Sequence, residues 1–341
     1  MISLRQRSGR LRAPPIGRGG RRDLTKWVGK TEPAAQRTLA AGWLAGVAAL
    51  PRIRRRLGLP RWAALGVLAS GPVAARVALP AGRLRQYAVF LAQMWGYLRA
   101  FELTYAHPET LRRRLRVDYP IALDRIVGAG TLPGVRLQAL RADERLARVL
   151  DRAMGVVYFS WALERHAVLL HLITRHPERF PRAAALVAAS FDVGWAIYSV
   201  FPTAPPWWAA KHGRIQGLHR VTVDASRAMP LVPRQSEEDS DQANPWASMP
   251  STHTASAAMI ALVAWEADAR VGTAAIAYVC ALGVALVYLG EHYAVDVLAG
   301  VALTAAIRAL EPPARALACD AKRSLCRGAS RGRPANRAYR R

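Results

Sequence analysis

The stretch YLGEHYAVDVLAG, residues 288–300, joins two apolar segments of the chain, residues 271–289 and 293–310. His292 is predicted to begin the last helix, and Asp296 follows four residues later, so the two share one face of that helix, with about 5–6 Å between their Cβ atoms. A carboxylate at this spacing accepts the imidazole N–H, fixes the tautomer and leaves the other ring nitrogen as a nucleophile or base. The alternative is a structural His–Asp pair that caps a helix, and these two residues alone do not decide between the two interpretations.

A second polar stretch, NPWASMPSTHT at residues 244–254, ends where another apolar segment begins. Pro250 and Ser251 are a helix-start signal. Backbone N–H groups at such a terminus, together with the Ser251 hydroxyl, form a cradle for phosphate oxygens. His253, in the first turn, is placed to protonate a departing alkoxide. A Pro-Ser-x-His string alone is mostly a cap, but a His-x-x-x-Asp pair on the same face of the membrane strengthens the catalytic interpretation.

The composition favours a membrane protein, because the 341 residues are 52% hydrophobic and their mean hydropathy is +0.05. A membrane-spanning helix needs about 20 apolar residues with charged flanks. Five stretches are candidates, the last of them shorter: residues 154–173, 183–201, 271–289, 293–310 and 254–265. Residues 86–105 form a further plausible span, and residues 62–80 and 38–50 predict a hairpin, interfacial segments or added spans. The sequence therefore predicts an all-α fold, a polytopic membrane helical bundle.

Basic residues concentrate in three short parts of the chain. The formal net charge is +26, and residues 1–37, 52–61 and 311–341 together carry +20 of it. This distribution disfavours a compact nucleic-acid-binding domain, so no nucleic-acid partner is expected. We predict four parts: residues 1–37, a basic disordered cytoplasmic tail; 38–152, N-terminal membrane segments and connections; 153–310, the catalytic membrane core; and 311–341, a second basic disordered tail. The tails are expected to contact an anionic membrane surface.

Arginine positions predict how the bundle is oriented. Residues 174–182 hold three arginines and the C-terminal tail nine basic residues, which places both in the cytoplasm. Residues 202–250 balance five basic against five acidic residues and are expected outside. His253 and His292 then lie together at the extracytoplasmic face of the cell membrane. Residues 164–166, Glu-Arg-His, are interpreted as a satisfied polar cluster between helices.

The two motifs resemble those of the type 2 phosphatidic acid phosphatase superfamily. Residues 250–253, Pro-Ser-Thr-His, match its second motif, Pro-Ser-Gly-His or variants. His292 and Asp296 match the second half of its third motif, Ser-Arg-x5-His-x3-Asp, whereas Ala285 and Leu286 stand where serine and arginine are expected. The resemblance covers roughly residues 84–310 and implies a six-helix core of the kind that this family shares.

Leu286 replaces an arginine that would contact phosphate. This is the pattern of the inositolphosphotransferase and inositol phosphorylceramide synthase-like branch, which residues 201–208, FPTAPPWW, followed by Lys211 also resemble. The family's first motif, Lys-x6-Arg-Pro, is not present in that form. Lys211, Arg214 and Arg220 are therefore candidates to supply its positive charge.

The resemblance implies a covalent mechanism that needs no metal and no other cofactor. In this mechanism His292 attacks phosphorus, Asp296 stabilises the imidazolium, and His253 protonates the leaving oxygen. Water or an alcohol then resolves the phospho-histidine, while Ser251, Thr252 and a basic residue hold the phosphate. The implied activity is that of an integral membrane lipid phosphatase or phosphotransferase with a membrane lipid substrate. Inositolphosphotransferase-type head-group transfer is the alternative within the family.

Two alternatives from other classes stay open. His253, His292 and Asp296 are a possible zinc ligand set for a hydrolase, since two imidazoles and a carboxylate hold catalytic zinc in other enzymes. The other alternative is a catalytically inactive membrane protein that retains the fold, and Leu286 is the residue that keeps this hypothesis open.

Overall fold

A computed structural model describes residues 34–54, 56–105, 108–229, 232 and 246–331. This part of the chain contains helices and no β-strand, which confirms the all-α prediction. The first seven helices are α1 (Ala34–Ile53), α2 (Arg61–Ala69), α3 (Gly71–Ala78), α4 (Arg83–Tyr105), α5 (Pro108–Arg112), α6 (Asp118–Val127) and α7 (Pro133–Ala139). The later helices are α8 (Glu144–Arg175), α9 (Phe180–Val200), α10 (Pro206–Lys211), α11 (Val221–Arg227), α12 (Thr252–Ala267), α13 (Ala269–Tyr288) and α14 (Ala294–Arg331).

Three of the long helices begin where a side chain satisfies the free backbone N–H groups. Asp143 accepts two such groups at the start of α8, Ser251 accepts one at α12, and Asp268 accepts two at α13. The helices then pack around a core shared by α4, α8, α9 and α12. Its fully buried members include Leu169, Phe180, Val187, Met259 and Ile260. This core packs the C-terminal halves of α8 and α12 against α4 and α9, and the candidate site lies at the start of α12.

Two described helices are long and apolar enough to cross a membrane by length and composition, namely α9 (Phe180–Val200) and α13 (Ala269–Tyr288). They coincide with the predicted spans at residues 183–201 and 271–289. The helix α12 has 16 residues and is about 24 Å long, less than the roughly 30 Å of a bilayer core. The remaining predicted spans stay predictions.

The last helix differs from the sequence-based expectation at both ends. It begins at Ala294 and not at His292, and it continues to Arg331, past residue 311 where a disordered tail is predicted. Residues 314–325 are rich in alanine, leucine, arginine and lysine, which favour helix. Residues 1–33 and 332–341, which hold most of the N-terminal tail and the end of the C-terminal one, lie outside the described residues.

Candidate active site

The turn before α14 carries His292, two residues ahead of the helix start at Ala294. Asp296 lies in the first turn of the helix, where its Oδ2 accepts the backbone N–H of Tyr293 over 3.0 Å and so caps the helix. The same oxygen lies 3.4 Å from Nδ1 of His292, and both side chains are buried. Because an ionised carboxylate only accepts hydrogen bonds, we assign the proton of the neutral His292 ring to Nδ1, which leaves a lone pair on Nε2.

His253, in the first turn of α12, contacts His292 directly. Its Nδ1 lies 3.2 Å from Nε2 of His292, and the two ring centroids are 5.3 Å apart. On its other side the His253 ring packs against Trp161 and Tyr158 of α8, at centroid distances of 4.4 and 5.6 Å. The structure therefore brings the three predicted catalytic residues together in a continuous chain of contacts that runs from Asp296 through His292 to His253.

Ser251 and Thr252 begin α12 but have different surroundings. The buried Ser251 hydroxyl accepts the N–H of Thr254 over 3.2 Å, and the Ser251 N–H donates to the Asp296 carbonyl oxygen over 3.0 Å. These polar groups of Ser251 are therefore engaged within the protein. Thr252 lines the cavity in front of the histidines, and its backbone N–H donates to the Tyr198 hydroxyl over 3.2 Å.

Ser248 belongs to the site although it is not among the residues that the motifs predict. Its buried hydroxyl donates to Oδ2 of Asp296 over 2.5 Å, and the residue lines the cavity. Oδ1 of Asp296, by contrast, is buried without a hydrogen-bond partner among the described residues. Ser248 lies in the quoted stretch 244–254, but no spacing rule links it with an aspartate 48 residues later, so the sequence carries no signal for this contact.

Arg220 is the predicted cation that the structure brings to the histidines. It lines the same cavity, contacts the Glu291 carboxylate at 2.8 and 3.2 Å, and lies over the Trp207 ring at 4.2 Å. Its Nη1 is buried and has no hydrogen-bond partner within the described part of the chain. A guanidinium that is held from two sides and keeps a spare N–H group suits a phosphate oxygen.

The other two predicted cations lie elsewhere. Lys211 is the last residue of α10, and Arg214 forms an ion pair with Asp118 on the surface, where about half of its side chain is exposed. Neither residue is part of the cavity wall that contains His253 and His292. The geometry thus favours Arg220 over Lys211 and Arg214 as a phosphate contact.

The paired histidines face a cavity of about 1150 Å³ whose walls come mainly from α1, α4, α8 and α9 and from the segments that carry the motifs. Its polar wall is formed by Ser248, Thr252, His253, His292, Arg220 and Glu291. Helices α1 and α4 contribute an apolar wall that includes Leu44, Val47, Ala88, Leu91 and Leu98. A cavity that combines an ionic site with a long apolar wall suits an amphiphilic ligand.

Arg165 is a second cation on the cavity wall, and its side chain is partly buried. Its guanidinium carbon lies 4.5 Å from the centre of the Trp161 ring, which itself packs on His253. Nε and Nη1 of Arg165 and both carboxylate oxygens of Glu164 are buried without hydrogen-bond partners among the described residues. His166, in contrast, is hydrogen-bonded with a tyrosine hydroxyl at 2.7 Å. The predicted polar cluster is therefore only partly satisfied, and Arg165 keeps N–H groups for a ligand.

Asp124 supports the site from α6. The buried side chain accepts the N–H of Val295 over 3.0 Å, so it caps α14 from a different element, one residue before Asp296. Burial raises the pKa of the Asp124 carboxyl to about 6, although its hydrogen bonds to backbone N–H groups oppose the rise. Helix α6 buries Pro120, Ile121 and Asp124, so the sequence signal for it is an acidic residue on the apolar stripe of an amphipathic helix.

The geometry disfavours a joint zinc site at His253, His292 and Asp296. His253 contacts Nε2 of His292 at 3.2 Å, whereas Asp296 contacts the opposite nitrogen, Nδ1, at 3.4 Å. The three residues therefore form a line and do not converge on one point, as metal ligands do. Among the described residues, the histidine, cysteine, aspartate and glutamate ligand atoms that gather within 4.8 Å of one another belong to a different group.

The fold and this site define a class of protein: a helical bundle whose paired histidines, braced by an aspartate and flanked by an arginine, are suited to phosphate esters. A family model described as the PAP2 superfamily matches residues 121–310, more than half of the chain, and spans His253, His292 and Asp296. The chain belongs to the PAP2 superfamily, which is the type 2 phosphatidic acid phosphatase superfamily and whose members are phosphoesterases and phosphotransferases. No curated protein and no solved structure was found to match the chain. The match supports the superfamily and not the inositolphosphotransferase-like branch, which stays a prediction.

Proposed function

We propose that the protein is an integral membrane enzyme that hydrolyses or transfers the phosphate group of a phosphorylated lipid through a phospho-histidine on His292. The observation that carries the proposal is the chain of contacts from Asp296 through His292 to His253, which faces a cavity with polar and apolar walls. Membership of the PAP2 superfamily supports phosphoester chemistry in general. The proposed reaction needs no metal and no cofactor.

In this reaction Nε2 of His292 attacks phosphorus, and the bond from phosphorus to the ester oxygen breaks. His253 acts in this step as an imidazolium: its Nδ1 proton passes to the departing oxygen, so the lipid leaves as an alcohol and the His253 ring becomes neutral. Asp296 accepts the Nδ1–H of His292 and stabilises the phospho-histidine. Water or an alcohol, deprotonated by His253, then attacks phosphorus and restores His292. Because Nδ1 of His253 and Nε2 of His292 are 3.2 Å apart at rest, the two rings have to separate for the phosphoryl group to enter between them and replace that contact.

Arg220 is proposed to bind the phosphate oxygens on which negative charge develops. The position where the third family motif has an arginine is occupied by Leu286, which is fully buried in an apolar cluster with Ala257 and Leu282. Positive charge therefore has to come from another segment. The cavity wall contains Arg220 and also Arg165, whose guanidinium packs on Trp161 next to His253. Thr252 adds a hydroxyl group at the same wall.

The membrane location is part of the proposal. Helices α9 and α13 are long and apolar enough to span a bilayer, and large apolar side chains are exposed on the outer faces of several helices, among them Leu163, Leu170, Val193, Ile276, Val284 and Leu298. Such a surface suits lipid better than water. The arginine-bearing turn between α8 and α9 lies about 21 Å along α8 from Trp161, which packs on His253, and this separation supports an extracytoplasmic site in the cell membrane.

Transfer to a polyol or lipid hydroxyl, as in inositolphosphotransferase-type head-group transfer, is the second form of the proposal. It differs from hydrolysis in which hydroxyl resolves the phospho-histidine. The absence of a third-motif arginine, with Leu286 in its place, favours this form by resemblance to that branch. A cavity of about 1150 Å³ also leaves room for an acceptor beside the lipid.

The test uses the full chain purified in detergent and a panel of lipid phosphates. We expect phosphate release, or head-group transfer when inositol or a lipid alcohol is added, that resists chelators and is inhibited by vanadate. His292→Ala should abolish the activity, and His253→Ala should lower it by about 10²–10⁴-fold, the usual contribution of a general acid. His212→Ala is the matched control, because His212 stacks on Trp208 at 3.7 Å and lies outside the cavity wall.

Other outcomes point to the other hypotheses. Loss of activity in chelator and its return with zinc would support a zinc-dependent hydrolase, and a folded protein that acts on no member of the panel would support an inactive membrane protein. Mass-spectrometric lipid profiles of cells with the wild type and with His292→Ala identify the donor, because the donor accumulates in the variant. Identical profiles would contradict the role of His292.

A further inference from the structure

A second group of ligand-type side chains lies at the opposite end of the helix bundle from the paired histidines. His171 is near the end of α8, His176 is the residue that ends this helix, and Asp268 joins α12 to α13. Helix α12 rises about 22 Å between His253 and Asp268, so this group is separate from the catalytic cavity.

The three side chains face one another closely. One ligand atom from each of them lies within 4.8 Å of the other two. Nε2 of His171 is 3.4 Å from Oδ2 of Asp268, yet this nitrogen is shielded from solvent and makes no hydrogen bond to any residue that the structure describes. Zinc bonds of about 2.0–2.2 Å to nitrogen and oxygen hold tetrahedral ligand atoms about 3.3–3.5 Å apart. His171 and Asp268 already have this spacing.

We propose that His171, His176 and Asp268 bind a divalent metal ion and that zinc fits the site best. Two imidazoles and one carboxylate are a zinc ligand set, and water completes the tetrahedron. The side chains of His171 and Asp268 are 29% and 33% exposed, which leaves an entry path and a position for that water. The proposal does not depend on the reaction at the paired histidines.

The backbone around the site is fixed before any metal binds. Oδ1 of Asp268 accepts the N–H groups of Arg270 and Val271 at 3.0 and 3.4 Å, as the N-cap of α13, and this orients Oδ2 toward His171. His176 donates its N–H to Leu172 over 2.7 Å and accepts the N–H of Arg179 over 2.9 Å. Outer contacts that orient the ligands in this way are typical of metal sites. A bound ion would link the end of α8 to the corner between α12 and α13.

The experiment measures zinc in full-length protein that is purified without a polyhistidine tag, stripped with a chelator and dialysed against zinc chloride. We expect about one bound zinc per wild-type chain and a higher unfolding temperature with the metal than without it. Cobalt(II) substituted for zinc should give the visible absorption of a tetrahedral site. His171→Ala and His176→Ala should each weaken zinc binding at least tenfold and remove the cobalt spectrum.

Two further variants keep the test independent of folding defects and of the catalytic site. Asp268→Asn retains the oxygen that caps α13 but loses the anionic ligand, so zinc affinity should fall while the apo protein unfolds at nearly the wild-type temperature. His253→Ala should keep the zinc. If the wild type binds no zinc, if the His171 and His176 variants bind as much as the wild type, or if the zinc disappears with His253→Ala, the proposal is overturned.

Discussion

Replacing Arg220 with alanine shows whether this residue binds phosphate or only holds its neighbours in place. Arg220 contacts Glu291 at 2.8 and 3.2 Å and lines the cavity with His253 and His292. The side chains of Arg220 and Glu291 are only 15% and 11% exposed, so water screens their charges little. The alanine variant therefore loses a phosphate contact and also leaves the Glu291 carboxylate facing the phosphate without its counter-charge.

Two free-energy terms set the size of the effect on kcat/KM. Loss of a hydrogen bond to a charged phosphate oxygen costs about 1.5–3 kcal/mol. A phosphate on the far side of the guanidinium would lie roughly 6 Å from the Glu291 carboxylate, where two unit charges repel by about 3 kcal/mol at an effective dielectric constant of about 20. Together they predict a fall of about 10³–10⁴-fold for Arg220→Ala. Adding Glu291→Gln removes the repulsion, so the double variant should be only about 10–100-fold below wild type.

The assay is phosphate release from a short-chain lipid phosphate in detergent micelles, with kcat and KM measured separately for the wild type, both single variants and the double variant. Such a double-mutant cycle isolates the coupling between the two side chains. Arg227→Ala is the matched control, because the ion pair that Arg227 forms with Asp224 at 3.5 Å is exposed. Size-exclusion profiles of each variant in detergent confirm that the protein is folded.

A purely structural role for Arg220 predicts a different pattern. If the arginine merely holds the turn that carries Glu291, Glu291→Gln alone should be as damaging as Arg220→Ala, and the double variant should be no better than either. That result, or wild-type kcat/KM in Arg220→Ala, refutes the assignment of Arg220 to the phosphate.

Three further predictions concern the surroundings of His292. Ser248→Ala removes the hydroxyl that donates to Asp296 over 2.5 Å and should lower kcat/KM by about tenfold. Ser248→Thr should restore part of the lost activity, and equal rates for the wild type and the two variants would contradict this prediction. Asp296→Asn keeps the shape of the side chain but favours the wrong His292 tautomer, so kcat should fall by about 10³–10⁴-fold. A loss of less than tenfold in initial rates would argue against the role of Asp296 in orienting His292. Burial raises the pKa of Asp124 to about 6, so the folded protein holds the carboxyl proton more tightly than the unfolded chain does. The stabilisation by this proton is present below about pH 4 and is lost as the pH rises through 6. The unfolding temperature of the wild type relative to Asp124→Asn should therefore fall between pH 4 and pH 7 in thermal scans, and a rise would contradict the sign.

The sequence predicts that His253, His292 and Asp296 belong to one candidate site because each motif is local. A His-x-x-x-Asp spacing pairs His292 with Asp296, and a helix-start signal precedes His253. The predicted helix start at His292 is two residues too early, because Asp296 caps the N–H of Tyr293 and the regular helix follows it. The His–Asp contact survives this difference because Asp296 still lies one turn from His292.

Contacts between distant segments carry no local signal. Ser248 reaches Asp296 across 48 residues, Arg220 reaches Glu291 across 71, and Asp124 reaches Val295 across 171. Each depends on how the helices pack, which a single sequence does not encode in its spacing. Composition alone identifies the apolar helices α9 and α13, whereas α12, with 16 residues, is too short to meet the same criterion.

The 3.2 Å contact between the two imidazoles depends on how closely α12 and α14 approach each other. Gly300, in the second turn of α14, permits this approach, since a Cβ atom there would lie 2.5 Å from the carbonyl oxygen of Ser251. At the same junction the N–H of Ser251 donates to the carbonyl oxygen of Asp296 over 3.0 Å. The backbones that carry both histidines are therefore joined by one close packing contact and one hydrogen bond. The two motifs form a single site because Gly300, at the point where their helices meet, has no side chain.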